Sequence, residues 1–106
     1  MNATNWAGNV TFRAARTHRP GSVTELRQLV ARSDRVRVLG TGHSFSSIAD
    51  TTGDQISLDG LPTAFVIDVE RHRATVSGSM TYGQLAPRLH EAGYALANLG
   101  SLPHIS

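Results

Sequence analysis

The sequence predicts an α+β fold, and three patterns carry that prediction. A capped amphipathic helix lies between two short alternating segments within the first 40 residues. Two more alternating segments then flank a tight Arg71-His72 turn. A second capped helix follows them. Alternation marks strands and 3.6-residue spacing marks helices, so the elements mix within one chain.

Taken in order, residues 9–13 (NVTFR) alternate as a short strand, and a basic loop containing Pro20 leads to Gly21. In SVTELRQLVARS, Ser22 and Glu25 stand at capping-box spacing, each side chain placed to satisfy the other's free backbone donor. Val23, Leu26, Leu29 and Val30 give that helix one apolar face. Arg35 to Leu39 alternates again and stops at Gly40, and the intervening crossover is long enough for the two strands to pair in parallel. Polar sequence runs from there to Gln55, and ISLDGL (56–61) predicts a strand ending at Gly60. AFVIDVE and RATVSGS predict a hairpin.

The second helix shows Thr81 and Gln84 at capping-box spacing, an inner face of Tyr82, Leu85, Ala86 and Leu89, and a stop at Gly93. Pro87 leaves two starts open. The helix kinks at an interior proline, or it begins near Pro87 as a first-turn residue. The expected interior is Leu26, Leu29, Val30, Val36, Val38, Ile67, Val69, Val76, Leu85 and Leu89.

Composition removes several function classes. The 106 residues contain no cysteine, which excludes disulfides, zinc–thiolate sites and thiol catalysis. The start, MNATNWAGNV, has neither a basic n-region nor an apolar run, and no apolar stretch approaches the ~20 residues that span a bilayer. A cytoplasmic protein without a membrane partner is the expectation. All ten cations are arginine. Seven precede Val38 against Glu25 and Asp34, a formal +5; the remainder holds three against six carboxylates, a formal −3. The few aromatics are scattered, so a nucleic-acid reader with a basic stripe and exposed aromatics is not indicated. The arginines suit a phosphate-bearing cofactor, an acidic facing domain or solvent. His18, His72, His90 and His104 show no metal-ligand spacing, and no metal site is expected.

The segment VRVLGTGHSFSSIADTTGD, residues 36–54, carries the chemistry. A strand followed by a glycine turn lets a phosphate approach backbone N–H groups. A P-loop is excluded, since it needs a lysine. A Rossmann fingerprint needs a third glycine where Phe45 stands and then a helix, for which there is no signal. His43 at the tip of this turn can be a base, nucleophile, ligand or surface residue on its own evidence.

Over essentially all 106 residues the chain resembles the vanillyl-alcohol-oxidase-type flavoproteins, and within them the alditol and sugar-1,4-lactone oxidases. The resemblance runs through NWAGN, SVTELRQLV, VRVLGTGHSFSSIADT, SLDGL, DVE…ATVSGSMTYGQLAPRLHEAGYAL and NLGSLPHIS. It implies the first α/β subdomain of the family's PCMH-type FAD-binding domain, covering residues 1–100, with residues 101–106 opening a second subdomain. It implies FAD bonded covalently through a ring nitrogen of His43. Val38, Leu39, Gly40, Thr41, Gly42, His43 and Ser44 would wrap the pyrophosphate and flavin. Ser101 and Ser106 would lie against the cofactor, Ser101 also against substrate.

Ala97-Asn98-Leu99-Gly100-Ser101 is similar to the lactone oxidases, and Leu102-Pro103-His104-Ile105-Ser106 to the alditol oxidases. The implied reaction passes hydride from the terminal CH–OH of a polyol to the flavin, with dioxygen yielding peroxide. No catalytic base is assignable, because the family's proton-accepting residues match no position here. The 106-residue chain alone is expected to be inactive and to self-associate through an exposed face. A non-catalytic binding or assembly module with the same fold is the alternative.

Overall fold

The computed structural model describes residues 3–98 and 102–105. The chain forms two compact units, Met1–Pro62 and Thr63–Ser106. The expected 100/101 boundary falls outside the described residues.

The first unit contains β1 (Arg16–His18), α1 (Val23–Arg32), β2 (Val36–Leu39) and β3 (Asp54–Ser57), with a 3-10 turn at Ser47–Ala49. Its strands make a parallel sheet in the order β1-β3-β2, with Arg16 and Val36 both opposite Asp54. The parallel sense expected across α1 is present, but the strands differ from those anticipated. NVTFR forms no strand. Its Val10 N–H goes to Asn5 Oδ1 and its Phe12 N–H to the Ala3 carbonyl, so the segment pairs with the N-terminal loop instead. The strand preceding α1 is Arg16–His18, and β3 separates it from β2.

β3 also begins two residues before Ile56, because Asp54 and Gln55 are buried strand residues. Each is tolerated inside because it is bonded. Asp54 Oδ1 accepts from Arg16 Nε at 2.9 Å and meets His18 Nε2 at 2.8 Å, and Gln55 Nε2 donates to the Ala49 carbonyl at 2.8 Å. Arg13–Asp50 and Arg19–Asp59 make two more pairs, so three of the N-terminal cations face carboxylates of their own chain.

In α1 the Ser22 hydroxyl accepts from the Glu25 N–H as expected. The reciprocal bond is displaced by one residue: Glu25 Oε2 takes the Gly21 N–H at 3.0 Å. Leu29 is buried with Phe12, Ile56 and Pro20, while Val30 and Val38, expected inside, are about half exposed.

At Gly53 the chain passes close against Arg35. A Cβ there would stand 2.5 Å from the Arg35 carbonyl oxygen and 2.8 Å from Arg35 Cβ. The same carbonyl accepts from Asp54 N–H, which starts the β2–β3 ladder. Gly53→Ala is therefore expected to cost about 1–3 kcal/mol, the range for overpacking a filled site. A urea midpoint matching the parent would contradict it.

In the second unit, β4 (Phe65–Asp68) and β5 (Arg73–Val76) pair antiparallel, Phe65 opposite Val76. This is the expected hairpin. His72 in its turn has φ +51°, a left-handed conformation uncommon for a side-chain-bearing residue. Helix α2 (Tyr82–Glu91) starts after Thr81 with both capping-box bonds made, so Pro87 sits inside it. Gly93 at φ +84° ends it, with Gly93 N–H to His90 and Tyr94 N–H to Leu89, the paired bonds of a Schellman stop. Leu89 is buried, whereas Val69 and Val76 are exposed rather than interior.

The first free donors of α2 are met by chain, not solvent. Tyr82 N–H bonds the Ile105 carbonyl at 3.1 Å and Gly83 N–H the Pro103 carbonyl at 2.6 Å. A side chain at Gly83 would collide with that Pro103 oxygen at 2.8 Å. The helix thus fixes the described residues that lie between Ser101 and Ser106.

Candidate functional site

The Gly40–Phe45 turn leaves the carboxyl end of β2, the end of parallel strands at which open α/β sheets present their ligand sites. Gly42 turns the chain with φ +78°, a conformation open to glycine at little cost. Residues 5–9 then clamp the turn. Trp6 N–H donates to the Gly42 carbonyl at 2.7 Å, Asn5 Nδ2 to the Ser44 carbonyl at 2.7 Å, and Asn9 Nδ2 to the Phe45 carbonyl at 3.0 Å. Asn5 is buried and also donates to Asn9 Oδ1. Three carbonyls of the turn are thus drawn toward the N-terminal loop.

His43 is held at two of its faces. Its Nδ1 lies 2.8 Å from Thr41 Oγ1, and its ring stacks on Trp6 at 5.2 Å between centroids and 24° between planes. Nε2 is shielded from solvent. Beyond it, Ser44 Oγ lies 3.2 Å from Ser46 Oγ, and Ser46 caps the 3-10 turn through the Ile48 N–H.

Val38 to Ser44 therefore form one continuous segment about a fixed imidazole. Ser101 and Ser106 lie outside the described residues. Asn5, Trp6 and Asn9 were not singled out by sequence reasoning, although NWAGN carried part of the resemblance. Two amides four residues apart, flanking a tryptophan, were the only local signal. His72, His90 and His104 are exposed, and no metal-competent cluster occurs among the described residues.

The carboxylates of this unit set its response to acid. Hydrogen bonds from His18 and then Arg16 hold Asp54 below the ordinary 3.8, against an opposing desolvation. The Arg13 backbone N–H does the same for Asp50, and the Ser57 hydroxyl, then Arg19, for Asp59. Depressed folded-state values mean that the unfolded chain binds more protons near and below 3.8. The stability these groups add is complete above that pH and falls as pH drops through their folded values. Asp54→Asn is expected to flatten the acid limb of a urea-midpoint profile. An unchanged limb would show that Asp54 adds nothing to it.

The profile of a family described as "FAD binding domain" matches residues 14–106, across both compact units. The chain belongs to that family. The FAD-binding domain is 44% identical over 106 residues to an alditol oxidase of Streptomyces sp., covering 97% of this chain and 26% of that protein. It is 33% identical to an L-gulonolactone oxidase of Bos taurus, over 96% of this chain and 24% of that protein. An L-gulono-1,4-lactone dehydrogenase of Mycobacterium tuberculosis is 34% identical, over 92% of this chain and 24% of that protein. The chain spans about a quarter of the length of the curated relatives it matches. The relatives are oxidoreductases, as the motifs implied, and the α+β class agrees with the elements found.

Proposed function

We propose that this chain is the flavin-anchoring first part of an oxidase of polyols, with residues 1–100 belonging to the first FAD-binding subdomain and residues 101–106 opening the second. The observation that carries the reading is His43, held by Thr41 and Trp6 at the tip of a glycine turn at the end of β2. The turn fits a dinucleotide. Its Gly42, Ser44 and Phe45 carbonyls are engaged by residues 5–9, so these acceptors are not aimed at a bound anion. Val38 to Ser44 would hold the cofactor, and His43 would be its covalent attachment point. Bound FAD would supply a two-electron acceptor that dioxygen regenerates, releasing peroxide. The alditol reading rests on the 44% identity to the Streptomyces enzyme, and the lactone reading on relatives of 33–34%.

The test places these 106 residues in Streptomyces alditol oxidase in place of the matching quarter. A chimera that keeps flavin through acid precipitation and releases peroxide from a polyol is the expected result. Flavin lost in acid would remove the covalent anchor. Peroxide from a sugar-1,4-lactone alone would select the lactone reading.

The 106-residue chain itself is expected to stay colourless with FAD and polyol. Binding first costs at least ~4 kcal/mol of lost translational and rotational freedom, and one turn offers little surface to offset it. Phe45, Ile48 and Trp6, all about two-thirds exposed, instead favour self-association. Peroxide above a heat-treated control would overturn this expectation.

A further inference from the structure

We infer that a cleft beside the start of β2 binds a phosphate group through Arg13, Arg35 and Arg37. The inference goes beyond the flavin reading and does not depend on it. The cleft holds about 380 Å³, and none of its lining residues belongs to the Gly40–Ser44 turn, which leaves β2 at the opposite end.

Separate segments bring the arginines together. Arg35 precedes β2 and Arg37 lies within it, and a two-residue spacing along a strand sends side chains to one side. Thr51 and Thr52, in the loop that enters β3, line the cleft as well. Arg13 comes from the loop before β1 and is tied to Asp50. Its backbone N–H donates to Oδ1 at 2.7 Å and its Nε to Oδ2 at 3.1 Å.

The charges are layered. The Asp50 side chain is 3% exposed and that of Arg13 70%, so the carboxylate lies beneath and the cation at the surface. Arg13 uses only Nε on Asp50, and Arg35 gives one bond, from Nη1 to Thr52 Oγ1 at 3.4 Å. Arg37 has no bonded side-chain partner among the described residues. Each arginine therefore keeps terminal N–H donors unbonded, in the planar fork that matches phosphate oxygens.

Three cations against the Asp50 carboxylate leave two positive charges in the cleft. A phosphate monoester places about 1.5–2 negative charges on one centre at neutral pH, where a carboxylate places one. The neighbouring cleft, of about 250 Å³, shares Arg35 and adds Arg16 and Arg32, but Asp34 and Asp54 reduce its excess to one. The first cleft is the better match.

The test titrates the 106-residue chain with inorganic phosphate near neutral pH, sodium chloride holding the ionic strength constant. Arginine Nε–H signals are followed in 1H–15N spectra. Those of Arg13, Arg35 and Arg37 should shift together and saturate. Arg37→Gln should weaken binding about tenfold, the change that losing one charge-assisted hydrogen bond produces. Arg37 is exposed, so this variant removes no core packing. Arg27→Gln deletes the same charge from an exposed position on α1 outside the cleft and should leave binding unchanged. Glycerol phosphate in a parallel titration separates the two sources of the group: tighter binding than inorganic phosphate assigns the site to an ester, weaker binding to the free ion. Succinate, whose two charges are spread along a chain, should bind more weakly than either. The proposal is overturned by the absence of a saturable shift, or by Arg37→Gln and Arg27→Gln having equal effects. Succinate binding as tightly as phosphate, or shifts confined to the Gly40–Ser44 amides, would overturn it as well.

Discussion

His43→Ala in the Streptomyces chimera is expected to abolish acid-stable flavin completely while leaving the protein folded. The imidazole nitrogen is the only atom in the Val38–Ser44 segment with the nucleophilicity to bond carbon near neutral pH. Thr41 and Ser44 carry hydroxyls, which are weak nucleophiles without an adjacent base. The structural cost is small by comparison. His43 is half-buried, and losing its stack on Trp6 removes about 0.5–1.5 kcal/mol beyond area burial. That is well below the roughly 5–15 kcal/mol typical of a folded domain. His90→Ala, at an exposed position on α2, should keep the flavin. Acid-stable flavin persisting in the His43→Ala protein would withdraw the assignment.

Leu29→Ala is expected to cost about 2–5 kcal/mol, a large share of the chain's stability. Leu29 is 3% exposed and is the one buried residue of α1. Val23 and Val30, on the same predicted apolar face, are at least half exposed. The helix therefore depends on a single deep side chain, whose truncation removes its buried apolar surface and leaves a cavity. Val30→Ala should change stability by only about 0.5 kcal/mol, as surface substitutions do. Equal urea midpoints for the two variants would show that the apolar face is shared rather than concentrated.

Both helices were legible because their caps and apolar spacing are local properties. Thr81 and Gln84 made the full capping box, and the hairpin formed about the turn that its alternation marked. The motif turn was equally plain, since Gly40, Gly42 and His43 are adjacent in sequence. What escaped was long-range. Arg16–His18 has no apolar alternation and became a strand through pairing with β3. Asp54 and Gln55 read as polar loop because their burial depends on His18, Arg16 and the Ala49 carbonyl, partners that sequence spacing does not reveal. The exposure of Val30, Val38, Val69 and Val76 follows from how far each unit covers its own elements, which periodicity cannot measure.

The clamp on the motif turn has a kinetic consequence. Its bonds join residues far apart in the chain: Asn5 to Ser44 spans 39 positions, Asn9 to Phe45 spans 36, and the Arg16–Asp54 pair spans 38. The β4–β5 hairpin closes through neighbours and needs no such encounter. Loop-closure entropy must be met before distant contacts return any stabilisation, so non-local parallel pairing is slow where hairpins form in about 1–10 μs. The second unit's hairpin is therefore expected to form before the parallel sheet. Trp6 meets His43 through the same kind of long-range contact, so its emission during refolding is expected to follow closure of these long loops rather than collapse.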